Sequence, residues 1–159
     1  MPTPFTHLWI AQRLLEDPAL ADDVRDLLRA ELPAYLLGSV AADARPAPDS
    51  PREDTHFYRY DRPMEIPPWR TMLEQNSALC CPSSAAQRAF VAGYVAHLAV
   101  DEYWSRYMLH PHFAQSHWGG GLRQRFFVLH LLLIHMDERD LIRLYDWHEP
   151  ALRRCEPQA

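Results

Sequence analysis

The chain has 159 residues and a mass of 18.5 kDa, with 48% apolar and 23% charged residues. That is enough chain to bury about 70% of its unfolded surface in one core, which excludes a collagen-like, low-complexity or disulfide-dependent architecture. A net charge of −5 and a pI near 5.9 argue against a binder of long nucleic acid, which needs a basic face.

The N-terminus, Met1-Pro2-Thr3-Pro4, has no basic stretch followed by a long apolar core, so no signal peptide is expected. Thr3 is placed to cap a first helix, and Pro4 suits its first position. Phe5, Leu8, Ile10 and Leu14-Leu15 supply its apolar stripe, and Asp17-Pro18 ends it. A second helix is predicted over about 19–31, with Leu20, Val24, Leu27 and Leu28 on one face. A third starts at Pro33 and stops near Asp43, because Arg45-Pro46-Ala47-Pro48 cannot continue a helix. Residues 44–68 hold six of the fourteen prolines and read as a long irregular segment, broken by a short element at Thr55-His56-Phe57-Tyr58. Helix returns at Pro67-Pro68-Trp69. Cys80 and Cys81 are adjacent and cannot easily bridge, and Cys155 is far along the chain. A reducing, cytoplasmic setting is therefore expected.

Ser83-Ser84 caps the best helix of the chain, predicted over about 84–109. A loop from Pro111 to Gly121 follows His110 and carries His112 and His117. Two last helices are predicted over about 122–136 and 137–148. The run Phe126 to Met136 is about half a membrane span and reads as a buried helix, with His130 and His135 buried in it. No alternating strand pattern and no internal repeat appears. The expectation is an all-α, single-domain helical bundle over residues 1–159, with no transmembrane segment.

The strongest chemical signal lies in the long helix, in Gly93-Tyr94-Val95-Ala96-His97-Leu98-Ala99-Val100-Asp101. His97 and Asp101 are one turn apart on the same face, and that face is otherwise apolar. A carboxylate aimed into an apolar bundle needs a positive partner, which a divalent metal or an Arg can supply. Gly93 costs about 1 kcal/mol against Ala in a helix interior, so a close approach by another helix or a ligand is expected there. One His-x3-Asp pair alone reads first as a helix-surface pair or a satisfied core pair, because such spacing is common by chance. Three more residues change the balance: His7 in the first helix, Asp43 where the third helix breaks, and His56 in the short element. Three His and two Asp at the ends and faces of four helical elements suit a zinc-type site.

Four segments carry a resemblance: Thr6-His7-Leu8, Leu37-Gly38-Ser39-Val40-Ala41-Ala42-Asp43, Thr55-His56-Phe57, and the Gly93–Asp101 stretch. In order and spacing they resemble the zinc-dependent phospholipase C family, whose fold is shared by zinc-dependent single-strand nucleases. The resemblance covers about residues 3–110. It implies an all-helical fold in which Asp43, His56, His97 and Asp101 bind one zinc. His7 would help to bind a second, with Asp101 bridging. It implies metal-assisted hydrolysis of phosphodiesters, one or two zinc ions, and a role for Asp43 in orienting or deprotonating the attacking water. A small phosphate ester or a phospholipid is the expected substrate. The sequence departs from the family at its start, where Met1-Pro2 replaces a mature N-terminal Trp, and at Ala42, where the family usually has Pro. It also lacks the His-x3-Glu pair of the third metal, so His110 is a candidate extra ligand. Arg45 and Arg52, next to the proposed ligands, are candidate phosphate contacts because guanidinium meets phosphate bidentately. The alternative expectation is a non-catalytic helical module with a structural or sensing metal.

Overall fold

The structure, a computed structural model, describes residues 2–44, 47, 49–59 and 64–145. Within them the elements run α1 (Pro4–Glu16), α2 (Asp22–Ala30), α3 (Leu32–Ala41), α4 (Glu53–His56), α5 (Pro68–Gln75), α6 (Ala85–Trp104) and α7 (Leu122–Tyr145). A 3-10 turn at Ser77–Cys80 precedes α6, and a π-helical segment at Ser105–Ala114 continues it. The described residues contain no strand, so the fold is all-α. None of their helices is long and apolar enough to cross a membrane.

The main core joins five helices. Leu8, Ala11 and Leu15 of α1 meet Leu28 of α2, Tyr35 and Leu36 of α3, Ala89 of α6 and Leu144 of α7. Each fully buried leucine stabilises the fold by roughly 1.5–3 kcal/mol. Tyr35 keeps its hydroxyl satisfied by donating to the Ala11 carbonyl at 3.1 Å, and burial pushes its phenol up to about 12.

The α3–α6 pair is the tightest contact and positions the functional residues. A Cβ at Gly38 would lie 2.0 Å from the Phe90 carbonyl oxygen, and one at Gly93 would lie 2.2 Å from the Tyr35 carbonyl oxygen. Each helix thus presents a glycine to the other's backbone. The close approach expected at Gly93 is made by α3.

Capping and termination follow local chemistry with two departures. The Ser84 Oγ accepts from the Gln87 N–H at 3.1 Å, and the Gln87 side chain accepts from the Ser83 N–H at 2.7 Å. That reciprocal pair starts α6 where the sequence places it. Thr3 occupies the N-cap position of α1 but makes no capping bond; its hydroxyl donates to Asp137 of α7 instead. Thr6, one turn on, donates to the fully buried Asp140 of α7 at 2.9 Å.

The last third differs most from expectation. Helical structure does not stop before Pro111 but runs to Ala114 in the wider π register, with Gln115 N–H bonded to the His110 carbonyl at 2.9 Å. Leu109 and Phe113 of this segment are buried against Leu129 of α7, a packing gain that offsets the N–H missing at Pro111. The expected pair of helices over 122–136 and 137–148 is one helix among the described residues, continuous to Tyr145; residues 146–148 lie outside them. The expected burial of the Phe126–Met136 run is also corrected. Phe126, Phe127, Val128, Leu131 and Ile134 are exposed, as are His130 and His135, since α1 and the π segment cover only one side of α7.

Candidate metal centre

The α3–α6 contact brings the C-terminal end of α3 against the second half of α6. The His97 Nδ1 lies 2.9 Å from the Ser39 carbonyl oxygen, which can only accept, so Nδ1 carries the proton and Nε2 keeps its lone pair. Such a carbonyl partner is what orients an imidazole for ligation. His56 is arranged the same way. Its Nδ1 lies 3.0 Å from Thr55 Oγ1 and 3.3 Å from the Arg52 carbonyl, which turns Nε2 toward the carboxylates. Tyr94 of α6 donates to the Thr55 carbonyl at 2.7 Å and pins this one-turn helix to α6. Phe57 then turns the chain with a positive φ of 58°, a conformation that costs a non-glycine residue of order 1 kcal/mol and ends α4 beside the site.

The five expected residues come together. His7 Nε2 lies 3.3 Å from Asp101 Oδ1. His56 Nε2 lies 3.3 Å from Asp43 Oδ1 and 3.6 Å from Asp101 Oδ2. His97 Nε2 lies 3.8 Å from Asp101 Oδ2, one helical turn along α6. The His7 and His97 rings stack with centroids 3.7 Å apart. His7, His56, His97 and Asp101 are at most 2% exposed, whereas the Asp43 side chain is 20% exposed and forms the outer edge.

The electrostatics follow from this crowding. Burial, helped by neighbouring His7, outweighs the pull of Asp101, the Ser39 hydrogen bond and Asp43 and lowers His97 to about 4, so the ring is neutral at physiological pH. Burial acts to raise Asp43, but the hydrogen bond to His56 and the nearby His97, His7 and Arg52 outweigh it and hold the carboxyl at about 2. Tyr94 is pushed up to about 12 by burial and by the Asp43 charge.

Several of these atoms are buried without a hydrogen-bond partner: both His7 nitrogens, His56 Nε2, His97 Nε2 and Asp101 Oδ1. An unpartnered buried polar atom costs about 1–3 kcal/mol. Here the Nε2 lone pairs of His56 and His97 face carboxylate oxygens, so acceptors face acceptors. Cations placed among them would satisfy the three Nε2 atoms and Asp101 Oδ1, and His nitrogen with carboxylate oxygen is a zinc-type donor set. Two overlapping groups could hold an ion: His7, His97 and Asp101, and Asp43, His56 and His97, with ligand atoms within 4.8 Å of one another.

A family model described as zinc dependent phospholipase C matches residues 6–149. The chain belongs to the zinc-dependent phospholipase C family. No curated protein and no solved structure matches it.

Within this family member the remaining candidates divide. His110 lines an apolar cavity between the π segment and α7, with Leu109, Phe126, Leu129 and His130, and belongs to neither group that could hold an ion. Arg45 lies outside the described residues. Arg52 lies within the site itself: its Nη1 is 3.3 Å from Asp43 Oδ1 and its Nη2 is 3.1 Å from Asp101 Oδ2. Ser39, Thr55 and Tyr94 lie inside the segments that carry the resemblance, but their supporting contacts and the Thr6–Asp140 bond show only in the structure. One signal was present, since Thr3 and Thr6 share a spacing of three with their partners Asp137 and Asp140.

Proposed function

We propose that the chain is a single-domain, zinc-dependent hydrolase of phosphoric esters, acting on a phospholipid or a small phosphate ester. The observation that carries this reading is the convergence of three buried histidines on Asp43 and Asp101, with their Nε2 atoms and Asp101 Oδ1 lacking hydrogen bonds. Family membership supports it.

His97 has a single lone pair to give, because its Nδ1 is bonded to Ser39, so it serves one ion only. Asp43, His56, His97 and Asp101 then make a four-ligand set for that ion. His7 and the other oxygen of Asp101 remain for a second ion, which would have only two ligands from the described residues. A bound divalent ion would neutralise charge on the phosphoryl oxygens and make water a better nucleophile at neutral pH.

The chain's own groups do the rest. Asp43, at the exposed edge, accepts a hydrogen bond from the attacking water and aims it at phosphorus. A carboxyl held at about 2 is a weak base, so orientation is its larger contribution. Arg52, 29% exposed, is the cation within reach of a phosphoryl oxygen at the mouth. Water adds to phosphorus, the phosphorus–oxygen bond to the leaving group breaks, and the leaving oxygen takes up a proton.

Metal counting and hydrolysis test the reading together. Wild type is expected to hold one or two zinc ions per chain and to cleave bis(4-nitrophenyl) phosphate or phosphatidylcholine. Asp101→Asn is expected to lose most of the metal and at least about 100-fold in rate, since a ligand common to both positions is gone. A wild-type protein that binds no zinc at micromolar concentration sinks the proposal. The near-complete burial of the histidines favours one rival, a structural or sensing metal. That rival predicts bound zinc with a raised melting temperature and no hydrolysis of either substrate.

A further inference from the structure

The guanidinium of Arg52 sits where a cation is needed. It bridges Asp43 Oδ1 and Asp101 Oδ2, the same two oxygens that His56 Nε2 faces at 3.3 and 3.6 Å. A metal held by these oxygens at about 2.0–2.2 Å would stand within a few ångströms of the guanidinium carbon and nitrogens. Two cations that close, in a mostly buried site, repel strongly. The carboxylates therefore have one partner or the other in this geometry.

We propose that Arg52 is a built-in competitor for the metal: it neutralises Asp43 and Asp101 in the metal-free protein and, displaced outward by the ion, becomes the group that receives the substrate's phosphate. The inference rests on reading the cluster as a metal site. Three observations support the swing. Arg52 is the most exposed of the groups that meet the two carboxylates, so its way out is toward solvent. Its backbone is anchored independently of its side chain, because the Arg52 carbonyl accepts from the His56 N–H at 2.9 Å at the start of α4. The bonds to the carboxylates, at 3.1 and 3.3 Å, are on the long side for charged partners, so their loss is a modest cost beside metal coordination. One consequence follows for the substrate. In the metal-free state a phosphate meets two carboxylates whose guanidinium is already engaged. In the loaded state it meets an ion and a guanidinium turned toward the mouth. Metal binding and anion binding are thus coupled through one side chain.

Calorimetric titration of zinc into chelator-treated wild type, Arg52→Met and Arg52→Lys tests this without reference to turnover. Arg52→Met is expected to bind zinc at least roughly tenfold tighter, the effect of losing one partly buried ion pair that metal must otherwise break. Arg52→Lys keeps the charge but cannot bridge both carboxylates, so it is also expected to bind tighter than wild type. Inorganic phosphate is expected to bind zinc-loaded wild type at least roughly tenfold more tightly than metal-free wild type, with that gain lost in Arg52→Met. Equal zinc affinity in all three proteins overturns the competitor role and leaves the metal site standing. Wild-type affinity in Arg52→Lys, with tightening only in Arg52→Met, overturns it too, because charge alone then explains the effect. Phosphate binding indifferent to zinc also overturns it. Absence of zinc binding in every variant removes both this inference and the hydrolase reading.

Discussion

His97 donates its Nδ1 proton to the Ser39 carbonyl, and burial keeps the ring neutral down to about pH 4. Its unfolded pKa is near 6.5. As pH falls through 6.5 the unfolded chain takes up a proton that the folded ring refuses, so folding stability drops. The loss begins near pH 6.5, grows to about 3 kcal/mol by pH 4, and is absent above pH 7. Urea unfolding of chelator-treated protein between pH 7 and pH 4 is expected to show this decline, and His97→Gln to flatten it. Asp43 works in the same direction at lower pH: its folded pKa of about 2 lies below the unfolded 3.8, so its stabilisation is present above 3.8 and is lost as pH falls toward 2. At this scale the sequence was most legible. His97 and Asp101 share a helical face by spacing alone, and His7, Asp43 and His56 join them in the structure. Arg52 was legible only as a nearby cation. Its position across both carboxylates depends on how Arg52 and α4 sit against α6, which no local spacing encodes.

The α3–α6 contact is the element on which the site geometry depends. Ala is the better helix former by about 1 kcal/mol, so an exposed Gly93→Ala would be stabilising. Here the added Cβ would meet the Tyr35 carbonyl oxygen at 2.2 Å and the Ser39 N at 2.8 Å. Backbone atoms on a packed helix yield only by moving the helix, at roughly 1–3 kcal/mol or more, so the clash wins. Gly93→Ala is expected to lower the unfolding midpoint and, by pushing Ser39 off His97, to weaken zinc binding. An unchanged midpoint in urea would show that α3 is not held this close. The glycine's meaning was half legible: its cost signalled a close approach, but only the packed pair shows that the neighbour is α3. In α7 the legible part was helix and the illegible part was burial. Phe127, Leu131 and Ile134 read as core because they are apolar, yet no described element covers their side of the helix. The π segment was missed for a similar reason, since Pro111 ends an α-helix in any local reading.

For the whole molecule, the metal and the fold should be linked. The cluster joins α1, the end of α3, α4 and α6, so an ion bound there stabilises their mutual packing and is lost when they separate. Zinc at 100 times its dissociation constant is expected to add about 2.7 kcal/mol. For a chain of this size that raises the melting temperature by roughly 5–10 °C, reversed by chelator. A scan that does not move with zinc would place the ion outside this cluster. Helix content, the helical class and the His97–Asp101 pair could be read along the chain, because helical periodicity and the His-x3-Asp spacing are local properties of a 3.6-residue turn, while the roles of His7, Asp43 and His56 came from the family resemblance. Which faces meet is not local. That α3 lies against Gly93, that Thr3 and Thr6 reach Asp137 and Asp140 from the other end of the chain, and that Arg52 occupies the carboxylates were decided only by tertiary packing, where contacts between distant segments set the distances on which the chemistry depends.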